Sequence, residues 1–213
     1  MAFQGYTQQT VDFMWGIRFN NERGWVLEDD YINTFLPPTR ELGEQVYDAV
    51  HALLPDEPLM LKVSRIYRDA RRLFGRGPYK DHLWWCIRTG DKDWTGRPTF
   101  WFELGPDYYS FGLGFWSPAA ALMETYRKQI DAHPEELSKL VRQFNRQSVF
   151  TLDGPEYARS KGQTSDLLRP WYQKKSLSLR WEGPLDERIF TSALAEDIIA
   201  GFKTLIPFYH YFN

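Results

Sequence analysis

The sequence predicts an α+β fold: an antiparallel β-meander of four or more strands covered by helices, in a single domain. Three observations carry that expectation. Helical periodicity fills residues 1–58, four short strand-like runs with a basic loop follow over 59–117, and helices with further strands occupy 118–213. Sequential strands joined by short turns pair antiparallel. Segregation of helices from strands separates this order from a doubly wound parallel sheet. No repeat, low-complexity stretch or flexible linker divides the chain, and 213 residues suit one large domain better than two small ones.

The elements follow in order. Thr7 is positioned to cap a helix to Phe19, with Val11, Met14, Trp15 and Arg18 along one side. Asn20-Asn21 stops it, and Asn21 is placed to cap a second helix from Glu22 to about Phe35. Pro37-Pro38 breaks that run, and Thr39 reopens a helix to about Leu54. Its buried face is Leu42, Val46, Ala49, Val50 and Leu53. Strands are predicted at Leu61–Tyr67, His82–Arg88, Thr99–Leu104 and Tyr108–Trp116. In the fourth, Tyr109, Phe111, Leu113 and Phe115 point one way, while Ser110, Gly112 and Gly114 leave the other side nearly bare. A bare strand face suits the close approach of a ligand, a helix or another backbone.

Ser117-Pro118 reads as the start of a helix to about Ala132, and His133-Pro134 as the start of another to about Arg146. Glu135 and Glu136 in its first turn and Arg142 near its end suit the helix dipole. A short strand at Ser148–Leu152, a short helix over Ser165–Lys174 and an alternating strand at Ser176–Glu182 follow. The last helix spans Asp186 to about Leu205, and the aromatic tail from Pro207 is expected to dock on the body.

Composition narrows the function classes. With 43% hydrophobic and 25% charged residues the chain is of globular type. Its single cysteine, Cys86, excludes an intramolecular disulfide and favours a reducing compartment. The N-terminus lacks the basic region and apolar core of a signal peptide, and no stretch approaches the ~18 apolar residues of a membrane span, so the expected location is cytoplasmic, with no membrane partner. A net charge of −2 argues against whole-surface nucleic-acid binding.

Charge is concentrated in one place. Lys62 to Lys80 holds seven basic side chains and one acid, Asp69, a local balance of +6. Beside tyrosines and a Gly75-x-Gly77-Pro78 turn, this reads as a site for an anion, such as a phosphate- or carboxylate-bearing small molecule. The candidate ligand-binding residues are Arg65, Arg68, Asp69, Arg71, Tyr79 and Lys80. Arg65 shares its strand side with Val63 and is expected to be partly buried, with Asp69 as the acid that orients the arginines. Neighbouring arginines should depress the Lys80 pKa. In a catalytic site the arginines would supply electrostatic stabilisation, and Lys80 or His82 would carry the proton.

The same residues carry a likeness. Arg65-Ile66-Tyr67-Arg68-Asp69-x-Arg71, then Pro78-Tyr79-Lys80, resembles the signature of an uncharacterised family, the domain of unknown function 2461. That family shows RIYRDxRF, a short basic spacer, then PYK. Phe3-x-Gly5-Tyr6, Asn20-Asn21-x-Arg23-x-Trp25, Gly105-Pro106-Asp107, Gly112-x-Gly114, Trp116-x-Pro118, Gly154, Arg159, Lys161-Gly162, Asp166-Leu167-Leu168 and the Pro207…Phe212-Asn213 ending are similar too. Arg72 stands where the family has Phe, Phe74 and Arg76 occupy the spacer, and Val26 replaces an aromatic. The resemblance implies no particular activity.

Other chemistries lack their residues. Gly75-x-Gly77-Pro78 is followed by no Gly-Lys-Ser/Thr, and neither GxGxxG nor Gly-x-Ser-x-Gly occurs, so no cofactor is implied. His51, His82, His133 and His210 are scattered and implicate no metal. Cys86, between Trp85 and Ile87, reads as core rather than nucleophile. Asp29-Asp30 and Glu135-Glu136 read as solvated helix acids. Two other classes stay open: a protein-interaction module using the basic strip and the excess of tryptophan and tyrosine, and, less favoured, single-stranded nucleic-acid binding.

Overall fold

A computed structural model describes residues 2–26, 31–69, 71, 73, 75 and 77–213. It has the α+β architecture, with one antiparallel sheet and one continuous core. Helix α1 is Gln8–Phe19, and α2, Leu36–Leu53, leads into strand β1, Leu59–Val63. Strands β2 (Leu83–Thr89), β3 (Thr99–Leu104) and β4 (Tyr108–Gly114) follow. Then come α3 (Ala120–Ala132), α4 (Pro134–Phe144), β5 (Thr151–Asp153), the short α5 (Arg169–Tyr172), β6 (Ser178–Pro184) and α6 (Ala193–Phe212). The strand order is β1-β2-β3-β4-β6-β5, a four-strand meander extended by a pair from the last third of the chain.

Register decides which side chains share a face, because residues opposite one another across strands point the same way. One row is Trp85, Phe102 and Phe111, and another is Ile87, Phe100 and Leu113. These face the core, where α2 packs on β1 and β2, and α6 packs on β4. Phe202 of α6 meets Trp85, Phe100 and Phe111, with ring centroids 6.3, 4.8 and 6.0 Å away. Every ring in that cluster is buried, so the sheet and α6 form one apolar layer.

Several boundaries differ from the sequence reading. Thr7 caps α1 as expected, and Val11 and Met14 are buried with Thr10, Phe13 and Ile17, while Trp15 is half-buried and Arg18 exposed. In place of a helix from Glu22, residues 22–25 form a turn and Tyr31–Phe35 a wide π-helical turn. The middle of that expected helix, with Asp29 and Asp30, lies outside the described residues. Pro37 and Pro38 open α2 rather than break it, because first-turn N–H groups have no intrahelical acceptor to lose. The expected strand at 61–67 stops at Val63, and only Tyr67 pairs again, with Tyr79. Helix α3 starts at Ala120 without a side-chain cap, past Ser117-Pro118. The tail docks as expected, but as helix: α6 continues through Pro207 and buries Phe208, Tyr209 and Phe212. Among the described residues no helix is long and apolar enough to cross a membrane.

Candidate functional site

The basic stretch closes into a hairpin-like loop. Tyr67 and Tyr79 form an isolated antiparallel bridge; Arg68 N–H donates to Pro78 O and Lys80 N–H to Ile66 O, both at 2.8 Å. Asn21, 58 residues away, clamps the returning arm. Its side-chain amide donates to Tyr79 O and accepts from Tyr79 N, both at 2.9 Å. A Cβ on Gly77 would lie 2.3 Å from Asn21, so the clamp requires glycine there. Asn21 is therefore a strut rather than a helix cap. The amides of Tyr79 and Lys80 are already donated, which removes them from any phosphate cradle in this turn.

The six predicted residues lie along this hairpin in smaller groups, with Arg68 bonded to Tyr79, Asp69 to Arg71, and Lys80 within electrostatic reach of Arg68 and Arg65. Tyr79 is buried; its ring packs on Tyr67 and its carbonyl accepts from Arg68 Nε at 2.7 Å. Asp69 holds the exposed Arg71 through two side-chain bonds, at 3.1 and 2.9 Å. Arg65 is exposed rather than partly buried, because β1 has ended and the chain has left the sheet. The acid that gathers side chains here is Asp81. It takes Arg18 Nε at 2.7 Å and His82 Nδ1 at 3.1 Å, with Arg68 Nη2 at 3.9 Å. The His82 hydrogen bond, then Arg18, holds the Asp81 carboxyl well below the usual carboxylate range against the opposing effect of burial. Arg72, Phe74 and Arg76 lie outside the described residues.

Lys80 is the candidate that reaches furthest. Burial, with repulsion from Arg68 and Arg65 and an opposing pull from Glu103, lowers its pKa to about 8. The depression expected from its arginines is present, but burial is its larger cause. Its ammonium stands 5.6 Å from the ring of Trp84. Trp84 lies on the sheet face opposite the core, and there a pocket of about 270 Å³ opens.

Alternate residues of the strands build this pocket. One row runs Trp84, Glu103, Ser110 and Glu182; the next runs Cys86, Trp101, Gly112 and Arg180. Trp94, from the β2–β3 connection, and Trp116, just past β4, complete an indole-rich wall. Cations stand over three of these rings: Lys80 over Trp84, Arg88 over Trp94 at 4.5 Å and Arg180 over Trp101 at 5.9 Å. Arg180 is balanced by Asp153 at 3.5 Å and by Glu182. Neither Lys80 nor Arg88 has an acid within salt-bridge reach among the described residues. Glu103 accepts from the Tyr108 hydroxyl, whose pKa burial and then that carboxylate raise. Two polar atoms of the lining are sealed and unpartnered, Ser110 Oγ and Arg180 Nε. Cys86 is buried at the pocket floor and its thiol is pushed up to about 11 by burial, which suits packing rather than nucleophilic attack.

The bare side of β4 belongs to this face, but its glycines have a structural cause. A Cβ on Gly112 would meet Leu179 O at 2.1 Å, and one on Gly114 would meet Leu177 O at 2.5 Å. The close neighbour of those glycines is the backbone of the β6 side. Sequence reasoning missed Trp101 and Arg180 as site residues, since only strand register sets them beside Ser110. The signal that was present is the Ser110/Gly112/Gly114 alternation.

Fold and pocket together define an α+β protein whose helix-backed sheet presents a ligand-sized aromatic pocket with a cationic rim. The chain belongs to the conserved hypothetical protein family called domain of unknown function 2461, whose family model matches residues 9–211. No protein of curated function matches the chain.

Proposed function

We propose that this protein is a cytoplasmic domain that binds a phosphate- or carboxylate-bearing small molecule. The anionic group sits at Lys80, with Arg65 and Arg68 behind it, and a flat or apolar body lies against Trp84 and Trp101. The observation that carries this reading is the juxtaposition of an indole-lined pocket with Lys80, a half-buried cation that, among the described residues, has no acid in salt-bridge reach. A half-buried ammonium among arginines is costly, and a bound anion offsets that cost. Indole faces already attended by cations disfavour a cationic guest and suit an anionic or neutral ring. A pKa near 8 also lets Lys80 exchange a proton close to neutral pH, should binding lead to chemistry.

A thermal-shift screen of nucleotides, sugar phosphates and carboxylates, with matched-salt controls, tests the reading. A ligand at a hundred times its Kd stabilises by about 2.7 kcal/mol. The expected result is a shift with one compound class, lost in both Lys80→Met and Trp101→Ala. A shift that survives both substitutions places the ligand elsewhere and overturns the proposal.

A further inference from the structure

A second group of cations gathers around one tyrosine. Arg127 of α3, Lys161 in the loop after β5 and Lys175 before β6 stand over the ring of Tyr157, at 5.2, 4.3 and 5.6 Å from its centroid. A ring has two faces, so at least two of these three charges share one. Arg127 is only 7% exposed, and its Nη1 is sealed with no hydrogen-bond partner. A buried guanidinium ordinarily has a carboxylate. Among the described residues none of the three cations has an acid within salt-bridge reach. The nearby acids are engaged elsewhere: Glu124 with Lys128 at 3.1 Å, Glu156 with Lys174 at 3.0 Å, and Asp131 with the Tyr172 hydroxyl at 3.0 Å.

The frame around the ring is built rather than loose. Tyr157 N–H donates to Gln173 O at 2.9 Å, Lys175 N–H to Pro155 O at 2.8 Å, and Lys161 N–H to Gln173 Oε1 at 3.2 Å. These bonds tie the loop to the segment preceding β6, so the two lysines are delivered from backbone of fixed spacing. We propose that Arg127, Lys161 and Lys175 around Tyr157 form a second oxyanion site, suited to a compact phosphate-type dianion. Charge-assisted hydrogen bonds from several cations to one tetrahedral group are the strong form of such recognition. Glu124 lies within electrostatic reach of Arg127 and Lys161. That flanking acid disfavours an extended polyanion and favours a small one.

Isothermal titration of the full chain with inorganic phosphate and with O-phosphoserine, at constant ionic strength in chloride, tests the site. The key variant is Lys161→Ala/Lys175→Ala, whose two side chains are exposed, so the fold is kept. Lys92→Ala/Lys139→Ala removes the same charge from exposed positions elsewhere. Saturable phosphate binding to the wild type, weakened about tenfold or more in the first pair and little changed in the second, is the expected result. Equal affinity for both probes assigns the site to a free oxyanion, and tighter O-phosphoserine assigns it to a monoester; either supports the site. No saturable binding to the wild type, or the same weakening in both pairs, overturns it.

Discussion

The two faces of the sheet are made by alternate residues of the same strands, yet they are governed by different constraints. On the core face, Trp85, Phe100, Phe102 and Phe111 are fixed by contact with Phe202 and its neighbours, and packing accounts for each of them. On the pocket face, Trp84, Trp101, Ser110 and Arg180 share the same backbone but line the pocket, where Arg180 is held by Asp153 and Glu182 and Trp84 meets the exposed edge ring of Trp116. Trp116 at the pocket edge is 66% exposed, and Ser110 Oγ, like Trp85 Nε1 on the core face, is sealed without a partner. Residues that the core does not demand, in a concave place, are where binding is to be sought.

The largest test of that contrast uses one substitution from each face. Phe202→Ala should cost about 3–5 kcal/mol, the usual range for emptying a buried phenylalanine site. Trp101→Ala, on a partly exposed ring, should cost clearly less and abolish the ligand-induced thermal shift. Urea unfolding of both variants gives the comparison. Equal stability losses would mean that the pocket face is structural as well.

Next in size is the acid that anchors the basic hairpin. Asp81→Asn should destabilise by about 2 kcal/mol, as expected for weakened hydrogen bonds to charged partners. The Asp81 pKa is lowered on folding, so its contribution is full above the ordinary carboxylate pKa near 4 and is lost as pH falls below it. The stability of Asp81→Asn should therefore fall less steeply than that of the wild type in acid. Parallel acid limbs in the two unfolding curves would remove Asp81 as the hub.

A smaller effect follows from Lys80. Its charge in the free protein is lost as pH rises through about 8, so affinity for an anion should decline above that value by up to tenfold per unit. Lys80→Met should bind weakly and with a flat profile between pH 7 and 9. A wild-type affinity that does not change over this interval would detach the ligand from Lys80.

How much of this was legible in the sequence differs between the two faces as well. Strand Thr99–Leu104 stands where its alternation puts it, because period-two patterning and turn residues are local signals. Helix ends are less local: Pro37, Pro38 and Pro207 all sit inside helices, since a first-turn proline loses no bond and tertiary packing of Phe208 and Phe212 outweighs the break at Pro207. In the basic stretch the charge was plain and its pairing only in part: Asp69 holds Arg71 as its neighbours suggest. Asp81 rather than Asp69 gathers Arg18 and His82, and Asn21 arrives from far along the chain, through contacts that spacing does not encode. The pocket was visible only as the bare side of β4. Its indoles and Arg180 come into place when strand register is known.

Ser110→Ala gives the smallest and sharpest comparison. The hydroxyl is buried without a partner, so in the free protein it contributes a desolvation cost and no bond. Replacing it with a methyl of similar size should leave stability unchanged or raise it by less than about 1 kcal/mol. If the hydroxyl is kept for a ligand, the same substitution should weaken binding by several-fold while Tm holds or rises. Stability and binding moving in opposite directions is the mark of a position retained for function against the interest of the fold. A fall in Tm would instead reveal a structural bond to Ser110 Oγ, and the pocket face would then resemble the core face in what it asks of its residues.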